Sequence, residues 1–202
     1  MLKITPYLGA TVLIVSIAGV FYPLLGYFLP LVFATLTITC LFRGRWFCGN
    51  LCPRGSLNDF WISKISLKRK IPKIFKTPLV RAPIFVALMA FMTYRIIQTN
   101  GVIEAMGMVF VTMCIVTTAA AILLGVAFSP RAWCTLCPMG SLQAVVGGGK
   151  KTLSFDSIKC IDCNLCNIAC PMQLKANRCE NDPDCIRCGR CVSSCPAGAL
   201  RF

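Results

Sequence analysis

Eight of the fifteen cysteines fall in two runs of identical spacing near the C-terminus. Cys160, Cys163, Cys166 and Cys170 precede Pro171, and Cys185, Cys188, Cys191 and Cys195 precede Pro196. In this C-x2-C-x2-C-x3-C-P spacing the thiolates are placed to hold iron–sulfur clusters, whose chemistry is one-electron transfer. Zinc favours isolated C-x2-C pairs or cysteines mixed with histidine, and this chain contains no histidine. A disulfide framework belongs to small secreted chains; here the cysteine count is odd and the triple spacing too close.

The spacing resembles that of bacterial two-cluster ferredoxins, in which the fourth cysteine of each run ligates the other run's cluster. The resemblance implies one [4Fe–4S] cluster on Cys160, Cys163, Cys166 and Cys195. A second would sit on Cys185, Cys188, Cys191 and Cys170. It also implies a small α+β ferredoxin domain over residues 154–202.

A second duplicated motif lies upstream. Trp46-Phe47-Cys48-Gly49-Asn50-Leu51-Cys52-Pro53-Arg54-Gly55-Ser56-Leu57 is echoed by Trp133-Cys134-Thr135-Leu136-Cys137-Pro138-Met139-Gly140-Ser141-Leu142. Both share L-C-P-x-G-S-L, and each is approached from an Arg/Trp pair expected to anchor at the membrane interface. If the two copies pack about an axis along the membrane normal, Cys48, Cys52, Cys134 and Cys137 converge, and four thiolates are the ligand set of one iron–sulfur cluster. Two alternatives stay open: separate or partner-completed sites, and free thiols at a helix-breaking turn. The Gly-Ser after each proline suits a helix restart with serine as N-cap.

These cysteines are positioned by apolar elements. Mean hydropathy is +0.72 with 56% hydrophobic residues, and the excess sits in the first 150 residues. Leu8–Phe42 is almost uncharged and broken by Pro23, Gly26 and Pro30, which predicts two short spans joined by a Tyr22–Pro30 turn, since one span needs about 20 residues. A cleaved signal peptide is the alternative for the first span; without a small-x-small cleavage site, a retained helix is expected. Val80–Thr99 and Val102–Phe128 predict a second hairpin. The expected fold is mainly α: a polytopic membrane protein with four transmembrane helices in two repeated hairpins over residues 1–146, a linker at 147–153 built on Gly147–Gly149 and two lysines, and the ferredoxin domain.

The net charge is +14, and ten of the 21 Lys and Arg lie between Arg43 and Arg81. Beside membrane spans such a run is a topology signal rather than a nucleic-acid site. By the positive-inside rule it places the Arg43–Arg81 loop, the N-terminus with Lys3, the Arg131, Lys150 and Lys151 positions and the ferredoxin domain in the cytoplasm, on an inner-membrane protein. Leu57, Phe60, Trp61, Ile65 and Ile71 alternate with Lys64, Lys68, Arg69 and Lys70, which suggests a helix lying on the inner leaflet or a docking face. Cys40 and Cys114 read as buried packing residues, with Cys114 and Cys179 also candidates to complete a partner's site. Arg95 and Glu104 read as outer-interface residues.

Hairpins, C-P motifs and C-terminal cysteine runs together resemble membrane-bound polyferredoxins related to the NapH subunit of periplasmic nitrate reductase systems. The membrane part of NosR and an accessory protein of cbb-type oxidases are similar. That family usually carries C-x3-C-P in both copies; Cys48/Cys52 fits, whereas Cys134/Cys137 is one residue shorter. The resemblance implies a membrane-anchored iron–sulfur electron-transfer subunit of a multisubunit oxidoreductase of the respiratory chain, exchanging electrons with quinone or an extracytoplasmic partner. It would be a component of an enzyme rather than a catalyst alone. An assembly or redox-regulatory factor is the alternative. No haem, flavin or nucleotide motif is visible.

Overall fold

The computed structural model describes residues 5–148, 150, 152–180 and 182–202; Lys3, Gly149 and Lys151 lie outside them. The chain is mostly helical. The first hairpin comprises α1 (Thr5–Ala18) and α2 (Phe28–Arg43), joined by a turn and a 3-10 segment, Pro23–Tyr27. The turn therefore ends before Pro30, which sits in the first turn of α2, where a proline's missing N–H leaves no intrahelical bond unmade. The second hairpin is α5 (Pro78–Gln98) and α6 (Ile103–Ala127), close to the expected spans.

Among the described residues three segments are long and apolar enough to cross a bilayer: Pro23–Arg43, Pro78–Gln98 and Ile103–Ala127. At 14 residues, α1 is apolar but reaches only about 21 Å at 1.5 Å per residue, short of the roughly 30 Å hydrocarbon core.

Each hairpin is followed by a pair of short helices split at the C-P dipeptide. In the first repeat these are α3 (Trp46–Asn50) and α4 (Pro53–Phe60), and in the second α7 (Ala132–Leu136) and α8 (Pro138–Val146). Cysteine, not serine, caps the restarted helix. Cys52 and Cys137 are the N-cap residues, with proline at the first helical position and the Gly55 N–H donating to Cys52 Sγ at 3.4 Å. Proline's fixed φ preorganises that position, which leaves Ser56 and Ser141 inside the helix.

The repeats pack with exchanged partners. Helix α4 rests on α1 of its own hairpin and α6 of the other, while α8 rests on α5 of its own and α2 of the other. The 3-10 segment Pro23–Tyr27 also packs on α6, with Tyr27 edge-on to Phe110 at 5.7 Å.

The expected surface helix between spans two and three is not one helix. After α4 the chain passes through a 3-10 turn at Ile62–Lys64 and then an irregular stretch to a second 3-10 turn at Lys73–Lys76. Leu57 and Ile71 are buried, while Trp61 and Ile65 are exposed. This loop binds the C-terminal region: the Ile71 N–H donates to Gln173 Oε1 at 2.8 Å, Gln173 Nε2 to the Arg69 carbonyl at 3.2 Å, and Lys76 Nζ to the Met172 carbonyl at 3.0 Å.

In the C-terminal region β1 (Ser154–Phe155) pairs antiparallel with β2 (Leu200–Arg201), and two one-turn helices, α9 (Leu165–Ile168) and α10 (Arg190–Ser193), each begin inside a cysteine run. The backbone repeats at an offset of 25 residues. Asp162 and Arg187, Asn164 and Gly189, and Gln173 and Gly198 all have positive φ, so both runs trace the same loop. Leu153, Ala176, Cys179 and Leu200 form the core between them.

Candidate iron–sulfur site

Three groups of cysteines are brought together. Cys166 lies within electrostatic reach of Cys160 and Cys195, and Cys163 of the same run is exposed. Cys170, Cys185, Cys188 and Cys191 line one cavity. Cys179, absent from the expected ligand sets, lines that cavity as a fifth cysteine. Its thiol donates to the Ala176 carbonyl at 3.6 Å and stands within hydrogen-bonding reach of the Cys185 sulfur, which holds Cys185 down to about 6. The only sequence signal for Cys179 was a cysteine close to the second run.

The third group joins the two L-C-P-x-G-S-L repeats. Cys48 lies within electrostatic reach of Cys52, Cys134 and Cys137. Burial pushes the thiols of Cys48, Cys134 and Cys137 up, so uncomplexed they are neutral; a metal would draw them as thiolates. Cys48 Sγ donates to Gln143 Oε1 at 2.7 Å.

Two arginines frame this group in a crossed arrangement. Arg45 and Arg131 each stand three residues before the first cysteine of a repeat, and each is only 1% exposed. Arg45 Nη2 donates to the Cys134 carbonyl at 2.9 Å, and Arg131 Nη1 donates to the Cys48 carbonyl at 2.7 Å. Each guanidinium thus reaches into the opposite repeat. The shared glycine of L-C-P-x-G-S-L makes room for it. A Cβ on Gly55 would sit 2.5 Å from Arg131 Nη1, and one on Gly140 2.6 Å from Arg45 Nη2. The arginines are therefore part of the site wall, not interface anchors; their burial is tolerated because each has a carboxylate. Asp59 receives Arg131 through two bonds of 2.9 and 2.8 Å, and Asp184 receives Arg45 at 3.0 Å and Arg81 through two bonds of 2.8 and 2.7 Å. Burial alone would raise the Asp184 carboxyl, but Arg81 and Arg45 hold it below the usual carboxylate range.

A third guanidinium, Arg54, faces Cys137 electrostatically and anchors on Thr117 and Thr118 of α6 at 2.8 and 3.3 Å. Arg45 Nε is buried without a hydrogen-bond partner. Among the described residues no three Cys, Asp or Glu side chains gather tightly enough to hold a single metal ion. A cluster carrying one thiolate on each of four irons spaces its ligands more widely than one ion does. Four soft ligands, three cations and an unpaired buried N–H suit an anionic iron–sulfur cluster.

The remaining cysteines pack elsewhere. Cys40 is buried, with Sγ 3.7 Å from the Gln143 carbonyl. Cys114 is buried beside Val12 and Val15, 3.7 Å from Ser16 Oγ. Arg95 lines a cavity between the linked ends of α5 and α6 with Gln98, Thr99 and Met108.

Comparison with known proteins agrees with this chemistry. A family described as a 4Fe-4S binding domain matches residues 25–72 and again 110–155, once per repeat. A second 4Fe-4S binding domain family matches residues 181–201. The uncharacterized protein MJ0749 of Methanocaldococcus jannaschii is 32% identical over 168 residues, covering 82% of this chain and 67% of that protein. MJ0750 of the same organism is 27% identical over 179 residues, covering 83% and 75%. A 78-residue stretch, 33% of this chain, is 31% identical to 16% of the NADH-dependent phenylglyoxylate dehydrogenase subunit beta of Aromatoleum evansii. No solved structure matches the chain. The chain belongs to the family of MJ0749 and carries 4Fe-4S binding domains, whose chemistry is iron–sulfur electron transfer.

Proposed function

We propose that the protein is a membrane-anchored electron-transfer subunit carrying three [4Fe–4S] clusters. Two belong to the ferredoxin domain, over residues 154–202, on Cys160, Cys163, Cys166 and Cys195, and on Cys185, Cys188, Cys191 and Cys170. The third belongs to the membrane surface, on Cys48, Cys52, Cys134 and Cys137. The clusters supply one-electron chemistry; the chain holds them in order, shields the membrane-side set from water and surrounds it with positive charge. The observation that carries this is the meeting of four cysteines from two separate repeats around Arg45, Arg54 and Arg131.

In this proposal α1 makes a fourth, short span, and the Arg43–Arg81 loop and ferredoxin domain face the cytoplasm of an inner membrane. Partners are further subunits of a membrane oxidoreductase, in keeping with the likeness of one stretch to a dehydrogenase subunit, and quinone is a candidate acceptor beside the membrane-surface cluster. Iron and sulfide determination on the full chain, purified anaerobically in detergent, tests the cofactor content. About 12 Fe per chain is expected at four per cluster, and about 8 would remove the third cluster.

A further inference from the structure

The second cysteine run does more than ligate. Each of its first three cysteines is preceded by a charged residue: Asp184, Arg187 and Arg190. All three reach residues outside the ferredoxin segment. Asp184 pairs with Arg45 and Arg81, the Arg187 side chain donates to the Gly147 carbonyl at 3.4 Å, and Arg190 pairs with Asp59. The residues at the same places in the first run are Lys159, Asp162 and Leu165, all exposed.

Between these contacts the two parts of the chain approach closely. A Cβ on Gly49 would stand 2.3 Å from the Ile186 carbonyl oxygen and 3.1 Å from Cα and Cβ of Cys188. Asn50 Nδ2 donates to the Arg187 carbonyl at 3.3 Å. Around this contact Cys48, Met172 and Ile186 form a buried apolar cluster, with Cys134, Cys170 and Cys188 packed against it. Cysteines of the membrane-surface group and of the second ferredoxin group thus share one dry contact. Gly49 and Asn50 belong to the C-x3-C spacer of the first repeat; the second repeat's C-x2-C spacer, Thr135 and Leu136, is one residue shorter and lies buried.

We infer that the loop Asp184–Cys191 is a docking element and that the longer spacer of the first repeat is its seat. Gly49 is a positioning residue: the lack of a side chain lets the Ile186–Cys188 backbone settle against Cys48. Asp184, Arg187 and Arg190 hold it there, so that the Cys185/Cys188/Cys191/Cys170 set faces the membrane-surface set and the Cys160/Cys163/Cys166/Cys195 set faces outward. The docking geometry stands by itself, while its electronic consequence rests on the proposed cluster at Cys48, Cys52, Cys134 and Cys137.

Gly49→Val and Arg190→Glu in the full chain test it, with Asp162→Arg as the outward-facing control. Amide hydrogen exchange across residues 184–191 is expected to rise about tenfold or more in Gly49→Val and Arg190→Glu, and to stay unchanged in Asp162→Arg. In the fully reduced wild type, EPR is expected to show spin–spin coupling of the membrane-surface cluster to one ferredoxin cluster, weakened in the same two variants at unchanged iron content. Unchanged exchange in both variants, or an equal rise in the control, would overturn the docking element. An iron count of about 8 with altered exchange would uphold the docking and remove the third cluster instead.

Discussion

The two C-terminal cysteine runs have the same spacing, the same positive-φ positions and the same one-turn helix, yet they face opposite ways. Around the first run, residues 161–165 are all exposed, Cys163 among them. Around the second, Asp184, Ile186 and Arg187 are buried against the helical repeats. Ligand spacing sets the chemistry of a loop. The residues between the ligands set where that loop can dock, through charges that are stable in a dry contact only when paired.

That contrast can be broken by removing one carboxylate on each side. Asp59 pairs with buried Arg131 and with Arg190, and its side chain is 3% exposed. Asp59→Ala leaves a buried guanidinium without its counter-charge, and denaturant unfolding in detergent is expected to show a loss of about 3–5 kcal/mol. Asp156, paired with Lys159 in solvent beside the first run, is expected to show no measurable loss as Asp156→Ala. Equal effects of the two substitutions would show that the two runs do not differ in the way their burial implies.

A smaller effect sharpens the comparison inside the ferredoxin domain. Among the described residues, a fifth cysteine, Cys179, lines the cavity of the Cys170/Cys185/Cys188/Cys191 set. Hydrogen bonds to cluster sulfurs help set cluster potentials, and a donor favours the reduced, more negative state. Cys179→Ala is therefore expected to lower the midpoint of one ferredoxin signal in redox-titrated EPR, with Cys179→Ser restoring part of the shift and the other signal unmoved. Movement of both signals together would point to a general loosening of the domain.

Much of this was legible in the sequence because it is local or repeated. Hydropathy located α2, α5 and α6 to within a few residues, the ferredoxin loops were written in their spacing, and the duplicated L-C-P-x-G-S-L marked the second cysteine group. What was not legible depends on chain segments far apart meeting. Arg45 and Arg131 resembled interface anchors because arginine beside tryptophan at a span end commonly is one; only the packing of one repeat on the other turns them inward. Their matching position, three residues before the first cysteine in both copies, was the available signal. The alternating loop after α4 resembled a surface helix because its apolar residues recur, but Leu57 and Ile71 are buried within the chain, the latter beside the ferredoxin segment. Cysteine as N-cap was missed because serine is the stronger general capper, whereas here the Pro following each cysteine fixes the helix start.

The most direct test of the central proposal, one cluster shared by two repeats, is iron quantitation on Cys52→Ser, Cys137→Ser and the double variant in the full chain. If the cluster is shared, each single substitution removes the same roughly four irons and the double removes no more. Losses that add in the double variant, or no loss from either single substitution, would contradict a shared cluster and leave the two L-C-P-x-G-S-L motifs as separate sites.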